Sequence, residues 1–214
     1  STMQSIFAKA AACVAVSLTA LAAHAATLDG PSVSGQKLGF GGAGDAFAAA
    51  PSTPPNTFSV RFDTGSGRRI AGRADFTVDN GMFNLSLGNL QLTNPGSGIY
   101  ALQDLSDLSF IEGESGTNFG PCEGNRDRFP GLSVNVDCRR LGTAPDTAAN
   151  AGDVLYRKLA AGSYAFLFFE GDDAPASGSF DLSISAVPTP AAGVLFGSVL
   201  VAATYMRRRN GLPI

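Results

Sequence analysis

Phe76-Thr77-Val78-Asp79-Asn80-Gly81-Met82-Phe83-Asn84-Leu85-Ser86-Leu87 is the stretch on which the fold turns. On both sides of Asp79-Asn80-Gly81 apolar and polar residues alternate, the period of a strand with one face on a core and the other toward solvent. Asn and Gly accept positive φ, so residues 79–81 predict a tight hairpin turn between two strands. Gly88-Asn89 marks a second candidate turn before Leu90 and Leu92. The same period appears in Phe58-x-Val60-x-Phe62, Leu132-x-Val134-x-Val136-x-Cys138, Tyr164-x-Phe166-x-Phe168 and Phe180-x-Leu182-x-Ile184.

Eight to ten short strands with frequent Gly, Asn and Asp turns argue for an all-β ectodomain, an antiparallel β-sandwich or jelly-roll-like fold, over residues 58–186. The phenylalanines supply its core, since the chain has no Trp. Ahead of it, residues 26–57 are rich in Gly, Ala and Pro and read as an irregular segment. Its Gly39-Phe40-Gly41-Gly42-Ala43-Gly44 matches a dinucleotide-binding glycine pattern, but no strand–helix unit surrounds it and the match carries no weight. Ala144–Ala151 predicts at most one helical turn, confined by Pro145 and Gly152.

The N-terminus reads as a secretory leader over residues 1–25, a helical signal peptide. Lys9 is its positive region, Ala10–Ala23 its apolar stretch and Ala23-His24-Ala25 an A-x-A cleavage site. Its removal takes away Cys13 and His24, the chain's single histidine. The domain left behind cannot then hold a Ser-His-Asp or Cys-His arrangement or imidazole-ligated zinc. All 18 acids lie between Thr27 and Ala186 with 11 of the 15 basic residues, a balance of −7. That acidity argues against nucleic acid as a partner, which needs clustered positive charge.

Two cysteines remain, Cys122 and Cys138. An even pair in an exported protein reads as a disulfide; closing about 17 residues, it would be worth roughly 3 kcal/mol. The alternative, a reactive thiol, lacks a histidine partner. Arg126, Arg128, Arg139 and Arg140, with Glu123, Asp127 and Asp137, make this loop charge-rich. It reads either as a contact for an acidic polysaccharide or as surface ion pairing of little energetic value. Glu170-Gly171-Asp172-Asp173 collects three carboxylates at a strand end. Glu170, Asp172 and Asp173 could hold calcium through hard oxygen ligands; the plainer reading is a solvated turn, with no cofactor. No pair of acids is singled out for glycosidase chemistry, and the expectation is a protein that is not an enzyme.

The last segment, residues 187–214, opens with Val187-Pro188-Thr189-Pro190, continues with the uncharged run Ala191–Met206 and ends in the stop-transfer cluster Arg207-Arg208-Arg209. As a helix the run would span about 24 Å, short of the roughly 30 Å bilayer core, a marginal single transmembrane span. The arginines would stay cytoplasmic by the positive-inside rule. Read alone, this is an ordinary membrane anchor. Together, the Val187-Pro188-Thr189-Pro190-Ala191-Ala192 motif, short span and Arg cluster resemble the PEP-CTERM class of bacterial sorting signals, in its VPLPA-type variant, with Thr189 where Glu or Leu is usual. The resemblance implies export by the Sec translocase in a Gram-negative bacterium, a membrane-anchored precursor at the cell envelope and processing by exosortase near the Pro motif. It also implies a final place at the cell surface or in the extracellular matrix, associated with exopolysaccharide and biofilm. The rival expectation is a carbohydrate-binding sandwich, calcium-dependent or not, on an ordinary anchor, with Tyr100, Tyr156 and Tyr164 as sugar platforms. The stretches Leu159–Phe166 and Gly178–Ile184 resemble the final hairpin of exported sandwich domains, which implies that the tail leaves directly from a rigid body.

Overall fold

The structure is a computed structural model and describes residues 25–38, 44–65, 69–93, 98–116, 118–121, 137–141, 149–171 and 176–187. The expected signal peptide up to His24, Cys122, Asp172, Asp173, Pro188–Pro190, the 191–206 run and Arg207–Arg209 lie outside the described residues. The described part is all-β and antiparallel. Its strands are β1 (Thr27–Leu38), β2 (Ala46–Ser52), β3 (Thr57–Asp63), β4 (Arg69–Leu92), β5 (Gly98–Asp104), β6 (Phe110–Ile111), β7 (Asn118–Pro121), β8 (Asp137–Leu141), β9 (Val154–Gly171) and β10 (Ser177–Ala186). They form one sheet in the order β2-β3-β10-β4-β9-β5-β8-β7, with β1 on β4 and β6 on β5.

The 24-residue β4 organises this sheet. Asp79-Asn80-Gly81 is not the expected hairpin. Asn80 (φ 57°) and Gly81 (φ 71°) do take left-handed conformations, but within one strand that continues past them. Val78 pairs with Gly162 and Met82 with Ala160, so three residues of β4 oppose one of β9. This is a bulge, which bends a strand and resets its facing. Before it the residues that join the main core are Ile70, Ala74, Phe76 and Val78; after it they are Phe83, Leu85 and Leu87. The strand's partners change as well. Residues 71–79 lie between β1 and β9, whereas residues 83–92 pair with β10. Gly88-Asn89, the second candidate turn, is likewise a bulge, with Asn89 at φ 45° and the β10 register shifting beside it.

The alternating phenylalanines meet across the core. Phe58 of β3 lies 5.0 Å from Phe76 of β4, Phe62 lies 4.8 Å from Phe168 of β9, and Phe180 of β10 lies 5.9 and 5.4 Å from Phe166 and Phe168. Phe58, Phe166, Phe168 and Phe180 are fully buried, each worth roughly 1.5–3 kcal/mol in area removed from water. β5 is buried on both faces: Tyr100 and Leu102 join the main core. Ile99 and Ala101 form a second cluster with Ala71, Leu167 and Phe169.

Two expectations are corrected. Residues 26–57 are not an irregular segment, because β1 and β2 lie within them. Their small residues serve close approach. A Cβ on Gly35 of β1 would stand 2.1 Å from Ala49 N of β2, and one on Gly72 of β4 would stand 2.0 Å from the Phe47 ring. Nor do β9 and β10 form a final hairpin: β4 stands between them in the sheet. β10 is nonetheless tied on both sides, to β3 and to β4.

Candidate functional site

The register sorts the candidate residues to two ends of the strands. At the end marked by the β4 bulge, the Thr53-Pro54 bond is cis and Asn56 takes φ 64°. Asn56 accepts hydrogen bonds from Leu28 N at Oδ1 (3.0 Å) and from Ile184 N at its main-chain oxygen (2.8 Å), and its Nδ2 donates to Ala26 O (3.5 Å). The start of β1 and the end of β10 are thus stapled to one residue. Val187, first residue of the Val-Pro-Thr-Pro motif, donates its N–H to Met82 O at 2.8 Å. Met82 is one of two exposed large apolar residues among those described, the other being Leu108. Pro188 has no N–H, so it cannot extend that ladder as a donor.

At the other end, β9 delivers Glu170 into the interior. Glu170 is 1% exposed, which corrects the solvated-turn reading for this residue, and a Cβ on Gly98 would stand 3.2 Å from its Oε2. The facing follows from the period: Tyr164, Phe166, Phe168 and Glu170 all point to one side of β9, and each is buried. Asp172 and Asp173 lie outside the described residues, and among the described residues no three His, Cys, Asp or Glu side chains gather as a metal-holding group.

The three tyrosines are not surface platforms. Tyr100, Tyr156 and Tyr164 are at most 2% exposed. Tyr100 stacks on Phe166 at 5.6 Å and meets Tyr156 edge-on at 6.1 Å. Its hydroxyl donates to Ser115 O, and that of Tyr164 donates to Ala160 O at 2.6 Å. Burial pushes the Tyr100 and Tyr156 phenols far above the usual range. Burial, with Asp104 adding to it, pushes Tyr164 up to about 12.

Of the charge-rich loop, β8 carries Asp137, Cys138, Arg139 and Arg140. Arg139 Nη1 donates to Gly116 O at 3.0 Å and Nη2 lies 3.6 Å from Glu112. Arg157 pairs with Glu114 in the same region. Arg126, Arg128, Glu123 and Asp127 lie outside the described residues, as does the Cys122 side of the expected disulfide. No helix among the described residues is long and apolar enough to cross a membrane.

Sequence reasoning did not single out Asn56 or Asp45. Asn56 follows Pro54-Pro55, the setting of a turn that needs a left-handed residue. Asp45 precedes the buried Phe47 by two and shares its facing. No family model matches the chain, and no curated protein or solved structure matches it significantly.

Proposed function

We propose that the chain is an exported, non-catalytic surface or extracellular-matrix protein, sorted by exosortase through Val187–Pro190. The hydrogen bond from Val187 N to Met82 O carries the reading. The last sheet contact of β10 falls on the first residue of the sorting motif, so the folded domain ends where a processing enzyme would begin. Sec export over residues 1–25, a span over 191–206 and stop-transfer at Arg207–Arg209 complete the route. Exosortase and the Sec translocase are the partners, the precursor is held in the envelope membrane, and the mature domain resides at the cell surface or in the matrix.

In this reading the sheet closes on itself as a sandwich of jelly-roll character, bending along β4 and β9 in the middle of the strand order. A Cys122–Cys138 disulfide staples the segment before β8. The outward rows of β3, β10 and β4 carry Ser59, Ser179, Ser183 and Ser86, half-buried, with no aromatic among them. Ser59 and Asn89 both bond the Asp181 carboxylate. A small-residue, hydroxyl-bearing face suits association with exopolysaccharide better than stacking on single sugars.

Intact mass and C-terminal peptide mapping of the protein from an exosortase-bearing Gram-negative host test the proposal. A mature form ending within Val187–Ala192 is expected. A mature form retaining Arg207–Arg209 overturns it and leaves a membrane-anchored domain.

A further inference from the structure

Five polar or charged side chains are buried among the described residues: Asp45, Thr57, Thr64, Gln103 and Glu170. Thr57 Oγ1 meets Ser183 Oγ at 3.2 Å, Thr64 Oγ1 accepts Ala176 N at 2.8 Å, and Gln103 Nε2 donates to Leu108 O at 3.0 Å. Glu170 is partnered as well. Asp45 is different. It is 8% exposed, and neither carboxylate oxygen has a hydrogen-bond partner. Carboxylates taken out of water are, as a rule, paired or coordinate a metal.

Its surroundings are oxygen-rich. Asp45 Oδ1 and Gly44 O each lie 3.1 Å from the point where a Cβ on Gly65 would stand. Gly65 has φ +54°, and its N–H donates to Asp63 Oδ1 at 2.7 Å. Two carboxylates and a carbonyl therefore converge on a residue that contributes no side chain. The nearby ammonium of Lys37 donates to the main-chain oxygen of Asp45, at 3.4 Å, and leaves the carboxylate unbonded. Hard, flexible oxygen ligands of mixed carboxylate and carbonyl type are the set calcium takes, whereas magnesium demands a tighter octahedron.

We infer that Asp45 is the buried ligand of a calcium-type cation site, flanked by the Gly44 carbonyl and the Asp63 carboxylate and completed by water. With two protein carboxylates its dissociation constant should fall near that of weak extracellular modules, about 0.1–1 mM. The site belongs to the β1–β2 and β3–β4 connections and is independent of the sorting motif.

Calorimetric titration of the full chain with CaCl2 after chelator treatment, with thermal unfolding alongside, tests it. One site near the stated constant is expected, with a midpoint raised by roughly 3–11 °C in 10 mM calcium. Asp45→Asn, which keeps shape and removes charge, should weaken binding at least tenfold. The surface change Asp79→Asn should leave it unchanged. If Asp45→Asn fails to fold, Asp63→Asn, at an exposed position, serves instead and should weaken binding several-fold. No calcium-dependent heat or midpoint shift up to 10 mM in the parent overturns the inference. So does unchanged affinity in Asp45→Asn, or in Asp63→Asn where that variant stands in.

Discussion

Replacing Gly35 by Ala sets two physical effects against each other. By backbone propensity alone, Ala in a strand interior is favoured over Gly by roughly 0.5–1 kcal/mol, so the domain should become slightly more stable. The close crossing of β1 over β2 predicts the reverse. The new Cβ would stand 2.1 Å from Ala49 N, 2.7 Å from Ala48 C and 2.9 Å from Ala48 Cα, all main-chain atoms that cannot rotate aside. Ordinary overpacking costs about 1–3 kcal/mol, and a backbone obstacle places this variant at the upper end. The shift would also strain the five pairings from Ser34–Asp75 to Leu38–Ala71. A net loss of about 3 kcal/mol in a unit spanning Ala25–Val187 corresponds to a midpoint lower by roughly 6–12 °C. Thermal unfolding followed by circular dichroism reads this directly. Gly30→Ala is the control, since its Cβ would meet only Pro51 Cγ at 4.0 Å, and it should be neutral or mildly stabilising. A Gly35→Ala variant as stable as the parent, or a control that falls as far, would refute the crossing.

Asn56→Ala removes the acceptor for Leu28 N and the donor to Ala26 O and places Ala at φ 64°; a loss of about 2–4 kcal/mol in denaturant unfolding is expected. Gly81→Ala, at φ 71°, should cost about 1–2 kcal/mol by the same measurement. In alkaline titration the three core tyrosines should fail to ionise near pH 10. The folded Tyr164 phenol is raised to about 12, so the folded state binds more protons than the unfolded above pH 10. The stability this contributes is present below pH 10 and is lost as pH rises toward 12. The part of the absorbance near 295 nm that these three contribute should therefore rise with unfolding rather than ahead of it.

The alternation in Phe58–Phe62 and Phe180–Ile184 is enough to find β3 and β10, because one face of each meets the core; in β9 the aromatics at Tyr164, Phe166 and Phe168 carry the period although Ala165, Leu167 and Phe169 between them are buried too. Asn80-Gly81 was legible as a left-handed pair but not as a bulge, since hairpins and bulges share that conformation and only the partner strand decides between them. β5 was missed because Ile99-Tyr100-Ala101-Leu102 is covered on both faces and so does not alternate. β1 and β2 were hidden by composition: Gly35 and the alanines of β2 read as loop, yet their smallness is what lets two strands cross. In the sequence Glu170 reads as part of an acidic turn with Asp172 and Asp173, although continuing the count from Tyr164 by twos already aims it inward. Asp45 could have been found by the same count back from Phe47.

The staple at Asn56 has a topological consequence. Ala26 O and Ile184 N are bonded to the same residue, so the two places where backbone enters and leaves this unit are neighbours. A module of that kind can be grafted into a loop of a host protein with little separation of the host's own strands. Equally, a short peptide joining its two ends would allow the chain to be reopened elsewhere as a circular permutant. Such tolerance is common where termini lie close together, and here it rests on three hydrogen bonds to a single asparagine.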